Sequence, residues 1–461
     1  MKRNPNIVIF MLDTQRTTNV GCYGYEKPTT PNIDKLAEEG VVYLDNISPA
    51  IWTLPAVASL MTGVHVHSHG SGARTDVFVG TQPAIAEMLS QKGYRSIAFC
   101  DNKFAHSPNR GFDEIHIFPL QYRREDRGVF ERSRERVALA SRWIDHNYLN
   151  DKKRMPFFMY LQMMDPHLPH NPRSPYKEQF VLPDATDEEM SGLNQRILEV
   201  HAGKRHFSER ERALLKSMYD AETAAADSHV GILADFMREK GILDETIFIV
   251  MSDHGDMYGE KNGYNILHDN AFQHFSHHLC VYEELIKVPL VVRYPATFPA
   301  GKKVTHYSQT HDIFPTLAEI IGFKAPHCQG FSLLSALEDK PARNFTLTEY
   351  SKSVHMASRI LTQFPDRDAR MYLRSLKAWR AEGMKYIWSS DGADELYDLT
   401  KDTEEKKNLI REIPDRTNSM RLAMEEFLMT CPNGMAGDII QPGKTVSKEA
   451  LQRLEAMDWL N

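Results

Sequence analysis

Ile7-Val8-Ile9-Phe10-Met11-Leu12-Asp13 is an unbroken apolar run of six residues closed by an acid. A strand with one wet face alternates polar and apolar residues, whereas a run without alternation suits a strand buried on both faces. The following segments repeat the theme. Residues 32–40 read as a short helix, with Asn32 as cap, Ile33, Leu36 and Ala37 on one side and Gly40 as stop. Residues 41–47, 96–100, 156–163, 246–251 and 288–293 read as strands, and 82–93, 208–240 and 311–321 as helices, the last stopped by Gly322. Strands alternating with helices predict an α/β domain, a mostly parallel sheet with helices on both faces. After about residue 345 the texture changes. Residues 378–389 and 394–399 look antiparallel, a charged helix follows from about Thr403, and the last thirty residues read as a terminal helix or tail. The expected division is a large α/β domain over 1–345 and a C-terminal α+β subdomain with tail over 346–461.

Composition narrows the classes. Of 461 residues, 42% are apolar and 25% charged, which suits a folded rather than a disordered chain. A net charge of -7 gives no basic excess for nucleic acid. Five scattered cysteines with no CxxC pair predict reduced thiols rather than a disulfide frame or zinc ribbon. The apolar run near the N-terminus is too short for a signal peptide, and no stretch approaches the roughly 18 apolar residues of a membrane span. The expectation is a cytoplasmic protein, with no membrane partner and a homo-oligomer, first of all a dimer, as the default assembly.

Three groups of Asp and His stand where strands end: Asp13, Asp165-Pro166-His167 and Asp253-His254-Gly255-Asp256. Ligands of open α/β sheets bind at the carboxyl ends of the strands. One Asp there is most often a turn former; three such groups point to a shared site. A fourth segment, Thr53 to Gly63, reads as a helix with Pro55 in its first turn and Gly63 as stop, which puts Thr53 at the N-cap. A plain capping Thr is the bland reading. A helix N-terminus is also an anion site, where a hydroxyl can be activated as a nucleophile.

Asp13 with RTTNVGCYGY (16–25) and TTPNIDKLAEEGVVYLDN (29–46) resembles the opening of the sulfatase family. TLPAVASLMTG (53–63) is similar to that family's nucleophile helix, SDHGDMYGE (252–260) to its second metal motif, and YEELIKVPLVVRYP (282–295) to the strand that follows. THDIFPTLAEIIG (310–322) and ELYDLTKDTEEKKNL (395–409) resemble its later signatures. The motifs keep the family's order over nearly the whole chain. The resemblance implies an alkaline-phosphatase-like mixed, mostly parallel sheet flanked by helices, with a smaller C-terminal α+β subdomain. It also implies a metal-dependent hydrolase of ester bonds, with Thr53 in the nucleophile's place.

Two departures refine this. Sulfatases carry a Cys or Ser, oxidised to formylglycine, within Cys/Ser-x-Pro-x-Arg. Here the first position holds Thr53 and the Arg position Val57. Thr cannot become formylglycine. The aldehyde hydrate frees sulfate by eliminating from its own carbon, an exit that a sulfated Thr lacks. A phosphorylated Thr can be released by in-line attack of water at phosphorus. The family's calcium site usually has two acids at the first strand end and Asn after the later Asp; here Thr14 follows Asp13, and His254 follows Asp253. Imidazole suits Zn²⁺ or Mn²⁺ better than Ca²⁺. The expected ligand set, Asp13, Thr53, Asp253 and His254, resembles the single-metal site of phosphonate monoester hydrolases. One divalent ion is expected, with Mn²⁺ or Zn²⁺ favoured, Ca²⁺ as alternative and no formylglycine.

The resemblance also assigns supporting roles. His167 matches a family His that serves substrate oxygens or the leaving group. His277 and His278 stand where the family carries Lys or His, and both are candidates. Asn102, after strand 96–100, is a candidate donor to substrate; Lys261, where the family usually has His, is a candidate at the rim. Asp165 and His170 are the nearby candidates for a second metal. His268, His274 and His311 read as surface residues, and residues 121–136 and loop 171–210 as the pocket's frame. The expected substrate is a small anionic ester, with a sugar-linked one as an option. The expected activity is that of a phosphodiesterase or phosphonate monoester hydrolase. The alternatives are a sulfate-ester hydrolase without formylglycine and an inactive glycan-binding relative, against which the intact metal and hydroxyl set argues.

Overall fold

A computed structural model of the chain describes residues 3–72, 78, 80–106, 108–118, 129–263 and 272–431. Residues 121–128 of the first expected frame segment, His268 and the terminal thirty residues lie outside these. The opening apolar run forms strand Asn6–Leu12, buried along its whole length. It lies inside an eight-stranded sheet in the order Lys302–Val304, Val41–Tyr43, Leu290–Arg293, Thr246–Ser252, Asn6–Leu12, Phe157–Met163, Arg95–Cys100, Glu114–Ile117. Neighbours run parallel except Leu290–Arg293, which is antiparallel to both of its partners. The sheet is thus mixed and mostly parallel. Leu12 pairs with Ser252 on one side and Met163 on the other, so three strands end level. That register delivers Asp13, Asp253 and the 164–167 turn to one edge.

Both faces are covered. Val57, Leu60 and Met61 of helix Thr53–Thr62 pack with Ile313, Phe314 and Leu317 on one side. Val230, Leu233 and Met237 of the long helix Glu209–Glu239 pack with Trp143 on the other. Each such side chain contributes roughly 1.5–3 kcal/mol when fully buried, which explains why the central strands show no alternation. The long helix starts as its sequence suggests, with Ser208 and Glu211 forming a reciprocal cap.

Several local expectations are corrected. The strand expected over 41–47 divides into Val41–Tyr43 and Asn46–Ile47, in different sheets. Helix Pro31–Glu38 is capped at Thr30 rather than Asn32. Its free N–H groups at Asn32 and Ile33 go to the Asp227 carboxylate at 3.1 and 2.8 Å, a cap supplied by the long helix. Residues 171–210 are not an open loop. They carry helices Tyr176–Phe180 and Asp187–His201, which bury Leu193 and Val200 against Leu214 and Met218.

The C-terminal subdomain is an antiparallel sheet of Phe345–Tyr350, Leu376–Ala381, Met384–Ser389 and Glu395–Asp398, paired in sequence order. Its helix starts at Pro414, not near Thr403. The Asp398 and Asp402 carboxylates accept the N–H groups of Thr400, Lys406 and Lys407, which holds that stretch in turns. Tyr350, Leu376, Ile387 and Tyr397 share one apolar cluster with Ile51, Met257, Leu285 and Ile286 of the first domain. No helix among the described residues is long and apolar enough to cross a membrane.

His274 and His311 are buried, against the surface expectation, and so are His65 and His69. Burial pushes His65 and His274 down to about 3 and His69 to about 4, and holds His311 well below the usual range. Their folded pKa values are depressed, so only the unfolded chain binds protons just below its value of about 6.5. Stability is therefore complete above pH 6.5 and falls as the pH drops toward 4. Between pH 6.5 and 5.5 the unfolded ring goes from half to almost fully protonated, so each group removes about 1 kcal/mol and the four together on the order of 4 kcal/mol. Thermal melts by circular dichroism should show a steep loss of Tm across that window; a flat profile would contradict neutral burial of these rings.

Candidate metal and nucleophile site

Asp13 follows the first strand, and its N–H bonds the Met163 carbonyl at 3.0 Å. One carboxylate oxygen, Oδ2, accepts Asn102 Nδ2–H and Gln162 Nε2–H, each at 2.9 Å. The other, Oδ1, is buried and has no partner. Asp253 is arranged alike. Its Oδ1 accepts the N–H groups of Thr14 and His254 at 3.3 and 2.9 Å, and its buried Oδ2 is unpartnered. His254 Nδ1 lies 3.0 Å from the Gly255 carbonyl. A carbonyl only accepts, so Nδ1 carries the proton and Nε2 presents a lone pair. That Nε2 is also buried without a partner.

The three orphaned atoms face one another. His254 Nε2 is 3.6 Å from Asp13 Oδ1 and 3.5 Å from Asp253 Oδ2. Asp13, Asp253 and His254 are the one group of three or more such donors among the described residues whose ligand atoms all lie within 4.8 Å of each other. Ligands about 2.1 Å from a common ion are about 3–3.5 Å apart, so the spacing fits a divalent cation. Burial, and then the nearby Asp253 charge, push the Asp13 carboxyl well above the usual range. A cation would relieve both penalties. Two carboxylate oxygens and one imidazole suit Mn²⁺ or Zn²⁺ at least as well as Ca²⁺.

Thr53 opens helix Thr53–Thr62, with Trp52 rather than Thr53 in the capping position. Its Oγ1 accepts Asn102 Nδ2–H at 3.0 Å. Asn102 thus gives amide protons to Asp13 and to Thr53, while its Oδ1 accepts the Phe104 N–H. With both N–H groups committed in this way, Asn102 holds the hydroxyl beside the carboxylate.

The loop geometry is tightly built. Thr14 has φ 63°, an uncommon conformation for a β-branched residue. The Asp253 carboxylate on its N–H and the Tyr219 hydroxyl on its carbonyl, at 2.8 Å, hold it there. The Ser48 hydroxyl donates to the Asp253 carbonyl. Gly255 donates its N–H to the Leu285 carbonyl at 2.7 Å, and a Cβ on Gly255 would lie 2.0 Å from the Glu284 carbonyl oxygen. Gly255→Ala should therefore destabilise the protein by at least about 2 kcal/mol and weaken metal binding, as read by thermal melts with and without metal. An unchanged Tm would show that the loop yields freely.

A group of imidazoles borders the ligands. His277 lies 4.7 Å from His254 and 5.0 Å from His167, centroid to centroid, and the His278 ring is tilted against His277 at 4.7 Å. Burial lowers His167, and lowers His277 and His278 well below the usual range, with their mutual repulsion adding to it for the last two. His167 Nδ1 bonds the Leu168 carbonyl, leaving Nε2 as a base. Asp256 sits among them, its Oδ1 3.6 Å from His277 Nδ1 and its Oδ2 buried without a partner.

Lys261 does not join this group. Its ammonium lies between Glu405 at 3.0 Å and Glu284 at 3.3 Å, over the Tyr282 ring. Asp165 is bonded by the Ser133 hydroxyl, and His170 lies between Glu222 and Tyr258, so these two do not form a second metal group. Sequence reasoning missed Gln162 and gave Asp256 no role. A polar residue near the end of the otherwise apolar strand Phe157–Met163 was the available signal for Gln162.

The family model described as sulfatase matches residues 5–323, and one described as the C-terminal part of N-sulphoglucosamine sulphohydrolase matches residues 272–431. An arylsulfatase of Clostridium perfringens is 25% identical, over 90% of this chain and 93% of its own length. An N-acetylglucosamine-6-O-sulfatase of Bacteroides thetaiotaomicron is 24% identical, over 88% of this chain and 83% of its own. Among solved structures, a protein in complex with its substrate D-glucosamine-2-N,6-O-disulfate superposes with TM-score 0.74 at 21% identity, covering 95% of this chain and 99% of that one. A phosphonate monoester hydrolase of Agrobacterium radiobacter superposes with TM-score 0.70 at 20% identity, covering 93% and 95%.

Proposed function

This chain belongs to the sulfatase family, whose members hydrolyse esters with a metal, and we propose that it cleaves phosphate diesters or phosphonate monoesters with Thr53 as nucleophile. The observation that carries this reading is the Thr53 hydroxyl, held by Asn102 against Asp13 beside three inward-facing unpartnered atoms. Asp13, Asp253, His254 and Thr53 are the residues that would hold the ion. A divalent cation there lowers the pKa of the Thr53 hydroxyl and offsets charge on the ester oxygens. Thr53 Oγ1 attacks phosphorus, and the bond to the leaving oxygen breaks on the opposite side. Water then cleaves the phosphothreonine. His167, through its Nε2 lone pair, is suited to take the Thr53 proton and pass it to the leaving oxygen in the first step, and to pass the proton of the water back to Thr53 Oγ1 in the second. His277 and His278 extend the polar wall on the leaving side.

The phosphoryl choice rests on the missing formylglycine route: Thr53 offers no aldehyde hydrate through which sulfate could be eliminated. Neighbours solved with sulfated sugars support a sugar-linked anionic ester as the organic part. A second reading, sulfate-ester hydrolysis, is favoured by the relatives named as sulfatases. The two separate in one assay. Metal-analysed protein is offered a bis-aryl phosphodiester, an aryl phosphonate monoester, an aryl phosphate and an aryl sulfate. The diester or phosphonate should turn over fastest with Mn²⁺ or Zn²⁺, and the sulfate only in traces. An aryl sulfate as the best substrate would overturn the phosphoryl reading in favour of the second.

A further inference from the structure

Glu405 lies in the turn after strand Glu395–Asp398, with its backbone at φ 51°. A non-glycine residue persists there only where its surroundings impose the conformation. Its side chain is fully buried and reaches out of the C-terminal subdomain. Oε2 accepts the Lys261 ammonium at 3.0 Å and the Glu283 N–H at 2.8 Å. Oε1 lies 2.7 Å from Lys385, itself fully buried.

Glu283 opens the short helix Glu283–Ile286. Within that helix, the Leu285 carbonyl accepts the Gly255 N–H, and the Glu284 carbonyl closes the space where a Cβ on Gly255 would stand. Gly255 lies between His254 and Asp256, and its own carbonyl fixes the His254 proton on Nδ1. Three hydrogen bonds and one helical turn therefore join Glu405 to the tautomer and position of a candidate metal ligand.

We propose that Glu405 is a positioning residue for the metal site, through which the C-terminal subdomain sets the site's affinity for the cation. This rests on the metal reading of Asp13, Asp253 and His254. Residues that orient metal ligands typically change affinity 10–100-fold when altered. Losing the Glu405 charge also leaves the Lys261 and Lys385 ammonium groups short of a buried counter-charge, which pushes them apart and moves the helix they flank.

The test measures the Kd for Mn²⁺ and Zn²⁺ by chelator competition, with no substrate, on metal-stripped full-length chains. Glu405→Gln keeps the volume and one acceptor; Glu405→Asp keeps the charge and withdraws it from Glu283. Both should fold by circular dichroism, bind metal at least tenfold more weakly, and gain less Tm than wild type when metal is added. Asp394→Asn removes a contact to Tyr386 and Ser389 within the same subdomain. It should lower Tm and leave the Kd unchanged. A wild-type Kd in either folded Glu405 variant overturns the proposal and leaves the catalytic reading standing. A wild type that binds none of Mn²⁺, Zn²⁺ or Ca²⁺ removes the metal reading and this proposal together.

Discussion

Thr53→Val should fold, keep the ion on Asp13, Asp253 and His254 though less tightly, and at saturating metal lose at least about 10³-fold in kcat, a loss of about 4 kcal/mol in transition-state stabilisation. The substitution exchanges a hydroxyl for a methyl at constant shape and keeps a β-branched residue at the first position of helix Thr53–Thr62. What disappears is the oxygen that accepts from Asn102 beside Asp13. Because Asn102 still has Asp13 to bond, the variant leaves few unsatisfied groups and the fold should hold. Initial rates on metal-analysed protein, with mass spectrometric trapping of a phosphorylated tryptic peptide containing residue 53, give two independent readings. Thr53→Ser should keep measurable turnover and the labelled peptide. A Thr53→Val enzyme within tenfold of wild type would remove this side chain from the reaction.

Restoring the family's formylglycine motif is expected to fail for a packing reason. Val57 occupies the Arg position and is fully buried among Leu60, Met61 and Phe314. An Arg there would bring an unpaired charge into the main core, at a cost of several kcal/mol.

Asp253→Asn should abolish metal binding, and it should shift stability in opposite directions with and without metal. In the metal-free protein, Asp13 and Asp253 are buried close together, and the second charge adds to the burial that raises the Asp13 carboxyl. Removing one charge relieves that repulsion, so the metal-free variant should melt at or above metal-free wild type. With metal present, wild type gains RT ln(1 + [L]/Kd), about 2.7 kcal/mol at a hundredfold excess over Kd, and the variant gains none. Two pairs of calorimetric melts suffice. Equal metal-induced shifts in both proteins would mean that the ion sits elsewhere.

Much of the site was legible because its residues sit at strand ends, where an acid following an apolar run is conspicuous. Asp13 and Asp253 could be marked from their own neighbourhoods, and the level ending of their strands brought them together. Other features depend on groups far away in the chain. The cap of helix Pro31–Glu38 comes from Asp227, and no local pattern near Asn32 announces it. His311 looks like a surface residue because polarity was the only local cue; it is buried with its ring 4.5 Å from His65, which in turn meets Phe427 of the C-terminal helix at 5.1 Å. Lys261 occupies a position suggestive of substrate contact, and only the arrival of Glu405 from a separate subdomain shows where its charge is neutralised.

Strand Asn6–Leu12 pairs on one side with Phe157–Met163 and on the other with Thr246–Ser252. For a chain emerging from the ribosome, this means that one edge of the first strand stays bare until about a third of the protein has followed it, and the other until more than half has. Pairing across such separations is slow, and unpaired apolar strands are prone to aggregate. The outermost part of the sheet closes later still, since the partner of Val41–Tyr43 is Leu290–Arg293. The metal pocket is drawn from both ends of that wait and cannot form until residue 254 has emerged. Truncations ending before residue 252 should therefore partition into insoluble material, and binding of the cation should report completed synthesis rather than guide it.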